Sequence, residues 1–126
     1  MRYTLLVTGP AYGSQQASSA LLFAKKLIEL KQDLKNIFFY REGVLNANKF
    51  ITPASDEYDM VREWQYLHNT FSVKLQICIS AALRRGIVDM RGNTPCHISN
   101  LQGGFELTGI SDLTEAIIHC DRLIQF

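Results

Sequence analysis

The sequence predicts a three-layer α/β/α domain built on a mainly parallel sheet of about five strands. Short β-rich segments alternate along it with segments whose apolar residues recur at three- and four-residue spacing. Such alternation favours parallel pairing through right-handed crossovers, with helices on both faces of the sheet. A length of 126 residues and an apolar content of 47% suit one packed domain spanning residues 1–126. The order of the strands stays open.

The first half of the chain predicts two strands and two helices. Residues 3–8 form the first predicted strand, and residues 15–30 carry a helical apolar stripe. Residues 35–40 predict the second strand, because β-branched and aromatic residues cluster there. Residues 41–56 are polar and contain glycine, asparagine and proline, so a loop is expected before a helix at 59–71.

The second half predicts three strands and two helices. Residues 73–78 are expected to form a buried strand that leads into a helix, with Ser80 as a possible N-cap and Gly86 as a possible C-cap. Residues 88–104 are expected to be irregular, because glycines and a proline interrupt them. The remaining predicted elements are a strand at 105–108, a helix at 112–119 capped by Ser111, and a strand at 123–126.

Composition excludes several classes of function. The formal net charge is +1, and lysine and arginine cluster only as dipeptides, so no direct nucleic-acid binding is expected. No apolar stretch is long enough to cross a bilayer, and the N-terminus does not read as a secretory signal. The three cysteines, Cys78, Cys96 and Cys120, form an odd, widely spaced set that is typical of a reduced, cytoplasmic protein.

Cys78 is the leading candidate for chemistry. It lies where the buried predicted strand meets the following helix, and α/β proteins place their sites at that edge of the sheet. The positive end of a helix dipole there favours thiolate over thiol. Alternatively, Cys78 is a small core residue, because free cysteines are among the most buried residue types. The local sequence favours neither interpretation over the other.

Three other patterns are better explained by structure than by chemistry. The loop at 8–14 lies where phosphate-binding loops occur, but it matches neither glycine-rich motif and Pro10 lacks an N–H donor, so a plain turn is favoured. The pairs Cys96-His97 and His119-Cys120 match no zinc spacing, so no metal site is expected. Arg41 and Glu42, near the Cys78 edge, either orient a partner or form a structural ion pair, and the ion pair is favoured. Arg84 and Arg85 are expected to form a solvated helix surface.

A series of short segments, in order along the chain, resembles one known family. The segments are VTGPAYG at 7–13, QQASSA at 15–20, FFYREGV at 38–44, NAN at 46–48, PASDE at 53–57, IC at 77–78, AALRRG at 81–86, SNLQ at 99–102, GF at 104–105 and CDR at 120–122. Together they resemble the DsrE-like sulfurtransferase family of the bacterial sulfur relay over essentially the whole chain. Residues 90–98 depart from the family pattern, which leaves open the role of Cys96 and whether it approaches Cys78.

The resemblance implies a function. The family's reactive cysteine falls on Cys78, which would carry sulfur as a cysteine persulfide. It would accept that sulfur from a TusA-like donor and pass it to a TusE-like acceptor, in a relay that ends in 2-thiolation of the tRNA wobble uridine. The resemblance further implies a cytoplasmic heterohexamer with TusB-like and TusC-like subunits. This chemistry requires neither a metal nor an organic cofactor.

Two other functions stay open from the residues alone. One is a non-catalytic interaction subunit in which Cys78 is buried and inert. The other is a flavin- or nucleotide-binding module that uses the loop at 8–14. Thiol alkylation of the folded protein tests the first alternative, and absorbance with nucleotide titration tests the second.

Overall fold

Five parallel strands form one sheet in the computed structural model, which describes residues 1–90 and 98–126. The strands are β1 (Arg2–Val7), β2 (Asp33–Phe39), β3 (Lys74–Cys78), β4 (Phe105–Thr108) and β5 (Arg122–Gln125). Their order across the sheet is β4-β3-β2-β1-β5, so β3 lies between β2 and β4. The helices are α1 (Gln16–Glu29), a 3-10 helix (Arg41–Ala47), α2 (Met60–Phe71), α3 (Ile79–Arg84) and α4 (Ile110–His119).

Helices cover both faces of the sheet. On β1, the Tyr3 ring packs against Phe23 of α1 at 6.3 Å between ring centroids, while Thr4 Oγ1 donates a hydrogen bond to the Ala116 carbonyl of α4. Successive strand residues point to opposite faces, so α1 and α4 lie on opposite sides. The predicted three-layer fold with a mainly parallel sheet is therefore confirmed.

The core explains why the central strands are continuous apolar runs. Ile37, Phe38 and Phe39 of β2 have no exposed surface, although neighbouring residues face opposite sides of the sheet. Trp64 of α2 is equally buried and packs edge-on against Phe39, at 5.3 Å between ring centroids. Burial on both faces fixes the positions of β2 and β3, and with them the position of Cys78.

Two predicted helix starts differ from the structure. Ser80 is not the N-cap of α3, because the helix begins at Ile79 with Cys78 itself as the capping position. Likewise α4 begins at Ile110 rather than after Ser111, and Gly109 precedes it. Both helices therefore follow their strands more closely than the sequence indicated.

α3 ends at Arg84 with Arg85 as its C-cap, so Gly86 is not the cap predicted but the residue directly after it. Gly86 adopts a φ of 74°, a left-handed conformation that glycine accepts without strain. Its N–H bonds the Leu83 carbonyl, and the Ile87 N–H bonds the Ala82 carbonyl at 2.9 Å. This pair of bonds forms a Schellman motif, which stops the helix after two turns.

In the described part of the chain, no helix has the length and apolar character needed to span a bilayer.

Candidate functional site

Cys78 ends the strand between β2 and β4, at the carboxyl edge of the sheet. Its backbone is still extended, and the next residue already belongs to α3. This is the strand-to-helix junction that the sequence predicted. The residue is only 5% exposed, and its neighbours Ala81 and Ala82 are fully buried. The sulfur therefore belongs to the core and also lies at the edge where α/β folds carry their sites.

The helix after Cys78 is short. Because α3 has six residues, most of its amide N–H groups belong to the first turn and have no partner inside the helix. The field of a helix acts mainly through that turn. What α3 offers a sulfur anion is therefore a few backbone donors from Ile79 onward, rather than the summed dipole of a long helix.

The 3-10 helix replaces the loop predicted after β2, and Gly43 lets it approach β1. A Cβ at Gly43 would overlap the carbonyl oxygen of Val7. The Gly43 N–H in turn bonds the Tyr40 carbonyl at 2.9 Å. A side chain at this position would push the 3-10 helix away from the carboxyl edge of the sheet.

Asn46 joins three parts of the structure around that edge. Its side chain is fully buried, and Nδ2 donates to the carbonyls of Gly9 and Gly43 at 3.0 and 2.8 Å. Its Oδ1 accepts a hydrogen bond from Trp64 Nε1 at 3.0 Å. Both polar atoms of the Asn46 side chain are thus bonded. These bonds hold together the loop at 8–14, the 3-10 helix and α2.

Asn100 likewise joins separate segments, beyond the C-terminal end of α3. Its Oδ1 accepts from the Val88 N–H at 2.8 Å, and its Nδ2 donates to the Gly86 carbonyl at 2.9 Å. The Lys49 N–H also bonds the Asn100 carbonyl at 2.8 Å. The sequence predicted Asn46 only as a loop signal and gave Asn100 no structural role. What marks both residues is a buried side-chain amide with several hydrogen-bond partners, and this burial can be seen only once the fold is known.

The charged pair predicted at residues 41 and 42 has a different principal partner. Arg85 Nη2 lies 3.1 Å from Glu42 Oε1, whereas the closest contact between Arg41 and Glu42 is 3.8 Å. Arg85 also donates to the Ala81 carbonyl at 3.1 Å. The Glu42 carboxylate accepts a hydrogen bond from the backbone N–H of Glu42 and another from Arg85, and both lower its pKa. The expected solvated role is therefore wrong for Arg85, which ties α3 to the 3-10 helix, while Arg84 is exposed as predicted.

Two side chains of the loop at 8–14, Thr8 and Tyr12, form hydrogen bonds inside the protein. The N–H and the hydroxyl of Thr8 both donate to the Phe126 carbonyl, at 2.8 and 2.7 Å. Tyr12 donates its hydroxyl hydrogen to the Tyr58 carbonyl at 2.6 Å and accepts from the Met60 N–H. These bonds support the interpretation of the segment as a structural turn.

The remaining cysteines and histidines do not form a site in the described residues. Cys120 follows the last residue of α4, is partly buried, and donates its thiol hydrogen to the Ile117 carbonyl at 3.4 Å. Residues 1–90 and 98–126 contain no group of three His, Cys, Asp or Glu side chains arranged to hold a metal ion. The pair Cys96-His97 lies outside the described residues.

With this geometry established, comparison with known proteins identifies the family. Residues 1–126 match the DsrE/DsrF-like family. The chain belongs to this family. Proteins called Sulfurtransferase TusD from Cronobacter sakazakii and Enterobacter sp. are 56% and 55% identical to it over the full length of both chains. The relative of the same name from Pectobacterium carotovorum is 53% identical, over 100% of this chain and 99% of its own length.

A solved structure supports the fold. The ychN protein of E. coli superimposes with a TM-score of 0.79 over 100% of this chain and 99% of the other, at 17% identity. Together with the relatives, this confirms the predicted resemblance to DsrE-like proteins. The predicted enzyme class, a sulfurtransferase, is confirmed as well.

Proposed function

We propose that this sulfurtransferase carries sulfur as a persulfide on Cys78. The observation that supports the proposal best is the position of Cys78, at the carboxyl end of a central strand and at the start of α3. Free backbone N–H groups of the first turn of α3 are suited to stabilise negative charge on sulfur. Cys120, the other cysteine among the described residues, is bonded at the end of α4 and does not share this position.

The chemistry is two thiol–persulfide exchanges. In the first, the Cys78 thiolate attacks the outer sulfur of a donor persulfide; a new S–S bond forms on Cys78 and the donor leaves as a thiolate. In the second, an acceptor thiolate attacks that outer sulfur, and Cys78 is released as a thiolate. No electrons are gained or lost overall, so the exchange needs neither a metal nor an organic cofactor.

The proposed partners rest on the family resemblance found in the sequence, and the relatives named Sulfurtransferase TusD support a sulfur-relay role in general. The proposed donor is a TusA-like protein and the proposed acceptor a TusE-like protein, with the sulfur destined for 2-thiolation of the tRNA wobble uridine. The proposed assembly is a cytoplasmic heterohexamer with TusB-like and TusC-like subunits. This chain binds no tRNA in that scheme, in keeping with its net charge of +1.

One observation favours the competing interpretation of Cys78 as an inert core residue. The residue is 5% exposed, which is typical of a structural cysteine. A nucleotide-binding function has less support, because Thr8 and Tyr12 of the loop at 8–14 are bonded to Phe126, Tyr58 and Met60. The decisive experiment must therefore detect sulfur on Cys78 itself.

The test is intact-protein mass spectrometry after incubation with a persulfidated TusA-like donor. We expect one added sulfur atom, located on the Cys78 peptide and removed by dithiothreitol. Cys78→Ser should fold normally, take up no sulfur and stop tRNA thiolation in cells, because a hydroxyl cannot hold the transferred sulfur. Cys96→Ser and Cys120→Ser serve as matched controls and should load like the wild type. Full activity of Cys78→Ser would eliminate the persulfide proposal, and loss of loading in Cys96→Ser would replace it with a resolving or relay role for residue 96.

A further inference from the structure

Thr108 is the neighbour of Cys78 in the sheet. It ends β4, and the two residues are register partners across the parallel ladder. Register partners project from the same face of a sheet, so their side chains lie side by side at the carboxyl edge. Gln76 and Glu106, two positions earlier on the same face of the sheet, are register partners in the same way. Topology thus brings together two residues that are thirty positions apart in sequence.

The Thr108 hydroxyl is buried but unused. Its Oγ1 has no hydrogen-bond partner among the described residues, and it does not bond the resting sulfur of Cys78. The hydroxyls of Thr4 and Thr8, by contrast, donate to backbone carbonyls. A buried hydroxyl without a partner destabilises a fold, so its presence beside a candidate reactive residue calls for an explanation.

We propose that the Thr108 hydroxyl donates a hydrogen bond to the outer sulfur of the Cys78 persulfide. This inference rests on the function proposed above. Loading adds one S–S bond of about 2 Å to the side chain and moves the negative charge onto the added atom. A hydroxyl that lies out of reach of the thiol then gains a charged acceptor, and hydrogen bonds to charged groups are the strong ones. Thr108 thus contacts the transferred sulfur itself and recognises the loaded state.

The proposal predicts a specific pattern in two variants. Thr108→Val keeps the shape of the side chain but lacks the hydroxyl, whereas Thr108→Ser keeps the hydroxyl. The measured quantity is the equilibrium constant for sulfur exchange between a persulfidated TusA-like donor and Cys78, read from the intact masses of both proteins. Thr108→Val should lower it about tenfold or more, as expected for loss of a hydrogen bond to a charged group, and Thr108→Ser should restore it.

A second readout separates this role from a structural one. Because the hydroxyl does not bond the resting sulfur, the alkylation rate of unloaded Cys78 should be the same in the wild type and both variants. Thr108→Val should also be at least as stable as the wild type, since it removes a buried hydroxyl without a partner.

The outcomes are distinguishable. If the wild type takes no sulfur on Cys78, the proposed function itself fails. If it loads and Thr108→Val loads equally well, only the role of Thr108 is overturned. A drop in both variants together with altered alkylation would identify Thr108 as a packing residue and would also overturn the proposal.

Discussion

Cys78 is 5% exposed, although a cysteine that exchanges sulfur must meet the thiol of another protein. Burial of this degree slows attack by small oxidants, because oxidation follows thiolate character and access. The position of Cys78 followed from the sequence, since an apolar β-rich run ends there and small residues follow. Its exposure did not, because exposure depends on side chains contributed by distant parts of the chain.

Thr108 could not be selected from the sequence for a related reason. A threonine at the end of a short strand is unremarkable, and no local pattern states which residue of another strand becomes its register partner. The pairing of β3 with β4 had to be seen before Thr108 could be connected with Cys78.

Gly43 leaves no room for a side chain between the 3-10 helix and β1. Gly43→Ala should destabilise the protein by about 1–3 kcal/mol or more, because the added methyl overlaps backbone at Val7 that cannot rotate away. Gly103→Ala is the matched control, since the nearest atom to its added Cβ would be Gln65 Nε2 at 3.9 Å. Urea unfolding of both variants measures the difference. Equal stability of the two would show that the 3-10 helix moves freely relative to β1.

The elements were predictable where one local pattern dominates. The strand at 105–108 is confirmed at both ends, and the other strands and α1 lie within two residues of their predicted bounds. The 3-10 helix was missed because Gly43, Asn46 and Asn48 are loop signals on their own. Its turns are held by the bond that Asn46 donates to Gly9 and the bond that it accepts from Trp64, which no local pattern contains.

The ion pair between Arg2 and Asp121, beside the edge strand β5, makes the stability of the fold depend on pH. Asp121 lies next to it, accepts the Arg2 N–H at 2.8 Å and pairs with the Arg2 guanidinium at 2.9 Å. Arg2 lowers the pKa of Asp121 from 3.8 to about 2. Because the folded pKa is below the unfolded value, the pair stabilises the fold above about pH 4, and this contribution is lost as the pH falls through about 2.

Asp121→Asn should therefore be less stable than the wild type at neutral pH, by a small amount because both side chains are well exposed. The two proteins should approach each other in stability below pH 4. Urea midpoints measured across this range give the result, and added salt should narrow the gap at neutral pH. A gap that stays constant down to pH 2 would contradict the ion pair as its cause.

The carboxyl edge collects residues from most of the chain. Gly43 and Asn46 follow β2, Cys78 ends β3, and Thr108 ends β4. In a parallel sheet the strand ends meet at one edge, so chemistry drawn from separate segments converges there without any local sequence motif. The Glu42–Arg85 pair fixes two of the flanking elements to each other, α3 and the 3-10 helix.

At the scale of the assembly, composition does not require partners, because a domain with 47% apolar residues and a net charge of +1 can be monomeric. The requirement comes from the proposed relay. Co-expressed with TusB-like and TusC-like subunits, the chain should purify as a complex whose light-scattering mass fits two copies of each subunit, and alone it should give a smaller mass.

Cys78→Ser is the control for this experiment. Residue 78 is only 5% exposed, so the variant should assemble like the wild type while failing to load sulfur. A wild-type chain that stays separate with both partners present would exclude the heterohexamer, and a Cys78→Ser chain that fails to assemble would show that residue 78 supports the interface as well as the chemistry.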